Sequence, residues 1–136
     1  MADEGSRWRS TAVEGVLTAT VTADGDERGS FAELWRTAWT APLIGEPFVQ
    51  ANLSRSKADV LRGLHLHRRQ WDLWSVVAGE GTAAVVDTRP LLDRGAHAVV
   101  TRETFDMSPG SQLLIPPYVA HGFHARTELV LVYLVT

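Results

Sequence analysis

The sequence predicts an all-β chain, an antiparallel sandwich or jelly roll, and three observations carry that prediction. Apolar and threonine-rich runs of about four to eight residues recur along the whole length. Clusters such as Gly79-Glu80-Gly81, Ser108-Pro109-Gly110 and Pro116-Pro117 break them. No stretch holds the apolar period of a long amphipathic helix. Short strands punctuated in this way are the pattern of packed antiparallel sheets.

The elements follow in order. Val16 to Thr22 alternates apolar residues with threonine and reads as a strand, Ala23-Asp24-Gly25-Asp26 as a turn, and Ser30 to Thr37 as a second extended run. Further runs are Val49 to Leu53, Val60 to His67, Leu73 to Val77, Thr82 to Thr88, His97 to Thr104, Gln112 to Ile115 and Leu129 to Val135. The best helical candidate is a single turn near Ser56 to Asp59. Residues 1–12 read as a loose N-terminal segment and residues 13–136 as one domain.

Val60 to His67 is the most informative run. Alternate side chains of a strand face the same way, so Gly63, His65 and His67 share a chemical face while Leu64 and Leu66 are expected on the core face. Two imidazoles on the inward side of a small β-domain need partners, because a buried histidine must hydrogen-bond, bind a metal or titrate. Trp74 shares the side of Asp72 by the same period, near the mouth of the domain, where its ring could stack on a flat group or fill the core. His124, three residues beyond His121, belongs to the other face.

Composition excludes several classes of function. With 13 basic against 16 acidic residues and a net charge of −3, the chain has no electrostatic footprint for nucleic acid or an anionic membrane. Zero cysteines remove disulfide and thiolate chemistry and suit a reducing cytoplasm. No apolar stretch is long enough to span a bilayer as a helix.

His65-x-His67-x4-Asp72-x6-Gly79 resembles the first motif of the cupin superfamily, with aspartate where glutamate is usual. Gly110, Pro116 and His121 resemble the second, with Tyr118 where glycine is usual. That resemblance implies a cupin double-stranded β-helix, a jelly roll whose motifs line one barrel mouth.

A more specific resemblance covers most of the chain. Asp26 to Glu33, Val49 to Ser54, Leu61 to His65, Ile115 to Phe123 and Leu131 to Tyr133 are similar, in order, to motifs of the dTDP-4-dehydrorhamnose 3,5-epimerase family. The chain is identified as a C-terminally short member. The resemblance implies a cytoplasmic homodimer of deoxysugar biosynthesis that handles a nucleotide-linked 4-keto-6-deoxy sugar without a cofactor, the neighbouring chain helping to wall the site. It implies that Arg28, Glu33, Gln50, Asn52, Arg62 and His121 contact the sugar nucleotide, that His65 is the catalytic base, and that Tyr133 is the acid on the opposite face.

The chemistry is consistent with those roles. A hydrogen beside a ketone is acidic because the carbanion delocalises into an enolate, so epimerisation needs a base on one face, a proton donor on the other and a stabiliser for the enolate oxygen. Histidine exchanges protons near neutral pH and suits the base. Arg62 lies one residue off the His65 face of a strict strand, so either Gly63 hosts a bulge or Arg62 serves a different wall.

Two departures from the family pattern keep a second class open. Asp72 stands where the family has a lysine, and His67 where it commonly has glutamine. With His65 and His121 they compose a three-nitrogen, one-oxygen set suited to one divalent transition metal, and hence to a metal-dependent cupin acting as a cyclase, decarboxylase, isomerase or oxygenase. The sequence ends at Thr136, short of the segment in which the resemblance places a carboxylate that orients the base, so inversion at one carbon is as open as inversion at two.

Overall fold

The computed structural model describes residues 7–136. Its strands are β1 (Arg9–Ser10), β2 (Leu17–Thr20), β3 (Asp24–Asp26), β4 (Gly29–Phe31), β5 (Gln50–Ser56) and β6 (Leu61–His65) in the first half. The second half adds β7 (Asp72–Ala78), β8 (Gly81–Asp87), β9 (Arg102–Met107), β10 (Ser111–Ile115), β11 (Val119–Ala125) and β12 (Leu129–Val135). Short helices α1 (Thr37–Thr40) and α2 (Arg89–Arg94) interrupt them.

A six-stranded sheet in the order β1-β2-β10-β7-β12-β5 faces a four-stranded sheet in the order β6-β11-β8-β9, with β3-β4 as a separate hairpin. Every pairing among the described residues is antiparallel. The main core lies between the sheets: Trp74, Val76, Leu113, Ile115 and Leu131 meet Ala83, Val85, Val119, Phe123 and Ala125. This is the all-β jelly roll that the turn-separated runs predict.

A second, smaller core covers the outer face of the larger sheet. Ile44, Leu73 and Leu114 are buried there beneath Trp8, Trp35, Phe48 and Trp71. Buried on both faces, β7 loses the apolar alternation of a one-sided strand over its first five residues. The run expected to extend from Ser30 to Thr37 stops at Phe31, because the following chain turns back to lay Trp35 on that face. Trp35 Nε1 donates to Thr40 Oγ1 at 3.0 Å, and Trp8 Nε1 donates to the Trp39 carbonyl at 2.9 Å.

Several local expectations are corrected. Residues 1–6 of the expected loose segment lie outside the described residues, but Arg9 and Ser10 pair with Thr18 and Leu17. Strand β2 therefore lies between β1 and β10, with β1 covering Leu17 and Thr18. Residues 24–26, expected as a turn, form a strand of the β3-β4 hairpin. Ser56 to Asp59 holds no helix, while Pro90 at the start of α2 opens a helix inside what reads as loop. Strand β11 is absent from the expected runs because its His121-Gly122 pair interrupts the apolar pattern that would reveal a strand.

Leu64 of β6 and Leu66 just after it are a further correction. Leu64 is 58% exposed and Leu66 47% exposed, so neither packs in a core. Strand β6 is an edge of its sheet, and among the described residues nothing buries its outer side.

Candidate functional site

A cavity of about 330 Å³ opens between the β5-β12-β7 side of the larger sheet and the β6-β11 edge of the smaller one. Six of the residues singled out as catalytic or substrate-binding line it: Gln50, Asn52, Arg62, His65, His121 and Tyr133. The register explains their meeting. Tyr133 on β12 stands between Asn52 on β5 and Trp74 on β7. On the facing sheet His65 and His121 are direct cross-strand partners. His65 and Tyr133 thus occupy opposite walls of one cavity.

Arg62 reaches the same cavity through a bulge. The ladder pairs His65 with His121 and Arg62 with Phe123, so Gly63 and Leu64 together oppose the single Gly122. Gly63 has φ +108°, and a Cβ there would stand 2.7 Å from Gly122 Cα and 2.8 Å from the His121 carbonyl oxygen. Only glycine fits that approach. The Gly63–Leu64 peptide is cis. Arg62 Nε donates to the buried Ser56 Oγ at 2.7 Å, and Gln50 Nε2 donates to Asn52 Oδ1 at 2.8 Å.

Arg28 and Glu33 are not brought to this cavity. They lie on and just after the β3-β4 hairpin, which follows β2 near the edge of the larger sheet opposite β5. Arg28 pairs with Asp26 and is 85% exposed at its side chain; Glu33 pairs with Arg36. A neighbouring ion pair holds each in solvent, and the width of the sheet separates both from Tyr133.

The polar floor of the cavity is deeply buried. Asp72 and His121 are each 3% exposed, and His121 Nε2 lies 3.6 Å from Asp72 Oδ2. His67 Nε2 lies 3.9 Å from Asp72 Oδ1. Gln70 Nε2 donates to Asp72 Oδ1 at 2.8 Å and Trp74 Nε1 to Oδ2 at 3.4 Å. His121 Nδ1 donates to the Val119 carbonyl at 2.9 Å. Burial pushes the His121 imidazole below its usual value, against the Val119 hydrogen bond and the Asp72 carboxylate.

The four-residue metal set is corrected in one member. His67, Asp72 and His121 each offer a ligand atom, all within 4.8 Å of one another, and His65 is not of that group. Its ring centroid is 6.4 Å from that of His121. Strand β6 ends at His65, so strict alternation does not continue to His67, although both histidines line the cavity.

The segment around His67 is held from the second motif. Tyr118, at φ +63°, donates its N–H to the His67 carbonyl at 2.8 Å, and its own carbonyl accepts from Thr88 N at 3.1 Å and Oγ1 at 2.6 Å. Trp74 stacks edge-on to His121 at 5.5 Å and to Phe123 at 5.6 Å, so it serves the core and the cavity wall at once. Sequence reasoning missed Ser54, Gln70, Phe123 and Leu131 as lining residues. Gln70 was findable, being two residues from Asp72; Leu131 shares the Tyr133 face by period 2. His124 is turned toward Asp59, outside the cavity.

No helix among the described residues is long and apolar enough to cross a membrane. A family model described as dTDP-4-dehydrorhamnose 3,5-epimerase matches residues 10–136. The chain is 30% identical over 128 residues to the spore coat polysaccharide biosynthesis protein SpsL of Bacillus subtilis, covering 91% of this chain and 80% of that one. It is 36% identical over 126 residues to the dTDP-4-dehydrorhamnose 3,5-epimerase of Salmonella typhimurium, covering 87% of this chain but only 66% of that enzyme. Among solved structures, the RmlC epimerase of Legionella pneumophila in complex with dTDP-4-keto-L-rhamnose superposes with a TM-score of 0.81 at 32% identity, over 95% of this chain and 70% of that one. NovW, a 4-keto-6-deoxy sugar epimerase of Streptomyces spheroides, does so with a TM-score of 0.79 at 29% identity, over 95% and 67%. With a jelly roll of the same shape, and one model spanning nearly its whole length, the chain belongs to the dTDP-4-dehydrorhamnose 3,5-epimerase family.

Proposed function

We propose that the chain is an isomerase that inverts a carbon beside the ketone of a nucleotide-linked 4-keto-6-deoxy sugar. The observation that carries this is the opposition of His65 and Tyr133 across one cavity in a member of this family. His65 takes the proton from one face of the sugar ring, and the electron pair of the C–H bond passes into the enolate. Tyr133 then delivers a proton to the other face of the same carbon, and solvent resets both side chains. The step is redox-neutral, so it needs no electron-carrying cofactor. Gln50, Asn52 and Arg62 supply the hydrogen-bond donors and the positive charge that orient the sugar and its phosphate ester.

The proposal includes a second copy of the chain. Arg28 and Glu33 stand where the family contacts the sugar nucleotide but away from their own chain's cavity, which fits a hairpin reaching a neighbour's site. The cavity is flanked by two sheet edges, β5 and β6, that expose Val49, Leu53, Leu61 and Leu64. Uncovered apolar edges of this kind are commonly closed by association.

Incubation of the pure protein with a dTDP-4-keto-6-deoxyhexose in deuterated water tests the reading. Deuterium is expected beside the ketone. Absence of exchange across several such sugars would overturn it.

A further inference from the structure

We propose that His67, Asp72 and His121 bind one divalent transition-metal ion in the floor of the cavity, leaving His65 free as the base. The three side chains come from the segment after β6, from β7 and from β11, and their ligand atoms all lie within 4.8 Å of one another. Two imidazoles and one carboxylate form a set that holds Zn²⁺, Fe²⁺ or Co²⁺ while leaving coordination positions open for substrate or water.

The hydrogen bonds around the set already have the arrangement of a ligand shell. The Val119 carbonyl can only accept, so His121 Nδ1 carries a hydrogen at 2.9 Å and Nε2 is the ring atom turned toward Asp72. Asp72 Oδ2 lies 3.6 Å from that nitrogen, beyond a direct hydrogen bond, and both residues are 3% exposed. A cation between the two atoms bridges them. Gln70 and Trp74 hold the carboxylate by one hydrogen bond on each oxygen, the outer support that orients metal ligands. Ligand atoms sharing one ion at bond lengths near 2.0–2.1 Å sit about 3 Å apart. The separations of up to 4.8 Å within the set close toward that by side-chain rotation, chiefly of His67, whose side chain is 34% exposed.

What such an ion does in the reaction rests on the epimerase reading. An enolate forming in this cavity meets the Asp72 carboxylate across its floor, and the cationic side chain on its lining is Arg62. An ion held by Asp72 reverses the sign of that floor and stabilises the enolate oxygen.

The test separates the two proposals. Chelator-treated full-length chain is titrated with Zn²⁺ by calorimetry and with Co²⁺ by visible absorption. One equivalent per chain is expected, with affinity lowered at least about tenfold in His67→Ala and in Asp72→Asn and unchanged in His65→Ala. Absence of stoichiometric uptake overturns the site, as does uptake that both His67→Ala and Asp72→Asn leave intact. His67→Ala removes a partly exposed ring and Asp72→Asn conserves shape, so both variants preserve the fold. Deuterium exchange without metal uptake would remove the metal and leave the epimerase standing; uptake without exchange would do the reverse.

Discussion

Arg62 and His65 line the same cavity although three positions apart on one strand, because Gly63 and Leu64 together oppose Gly122. The bulge reverses the alternation once and turns an outward side chain inward.

Gly63→Ala should therefore damage both fold and site. Its Cβ would meet backbone atoms at 2.7 and 2.8 Å in a conformation that side chains rarely adopt, a cost of about 3 kcal/mol or more. Denaturant unfolding measures the loss. An unchanged midpoint would show that the bulge does not depend on glycine.

His65→Ala should abolish deuterium incorporation beside the ketone. Tyr133→Phe should retain exchange while net inversion slows by about 10²–10⁴-fold, because abstraction does not require the opposite-face donor. Mass spectrometry of the sugar and its stereochemical analysis read the two steps apart. Exchange lost equally in both variants would contradict the separate roles.

Arg28 and His65 offer a test of assembly. Sedimentation should give a species of about twice the 14.9 kDa chain mass. If each site draws His65 from one chain and Arg28 from its neighbour, mixing the impaired His65→Ala and Arg28→Ala proteins after reversible dissociation should restore about a quarter of wild-type activity. Half of randomly formed dimers are mixed, and each has one intact site. No recovery from a mixture shown to exchange subunits would assign both residues to a single chain's site.

Asp87 and Arg89 predict the acid limb of stability. Arg89 Nε lies 2.8 Å from Asp87 Oδ1, and Arg89 Nη2 also donates to the Glu14 carbonyl at 2.6 Å, tying the N-terminal loop to the corner that holds Tyr118 and His67. The Arg89 side chain holds the Asp87 carboxyl below the usual aspartate value, chiefly by hydrogen bonding and against the opposing effect of burial. A carboxyl lowered on folding contributes stability that is complete above its unfolded value and lost as pH falls through the folded one. Asp87→Ala should cost about 1–3 kcal/mol near neutrality. The difference from wild type should shrink below about pH 4 in urea unfolding at a series of pH values. A difference constant down to pH 2 would remove the ion pair as its cause.

The sequence by itself determined the class of fold and most of the cavity. Period 2 and turn residues are local properties, so the strands from β5 to β8, β10 and β12 are legible within a few residues; the motifs that resemble the family carry Gln50, Asn52, His65, His121 and Tyr133, which line one cavity. The run expected over His97 to Thr104 begins as strand only at Arg102, residues 97–101 being turn and irregular chain. Tertiary structure decided what depends on which strand lies beside which. The bulge at Gly63, set where β6 pairs with β11, admits Arg62 to the cavity, while the end of β6 at His65 leaves that residue outside the His67, Asp72 and His121 group. The exposure of Leu64 and Leu66 follows from the edge position of β6, and the distance of Arg28 and Glu33 from the cavity from the place of their hairpin across the larger sheet. Alternation along a strand reports which side chains share a face; it carries no information on the neighbours that cover that face.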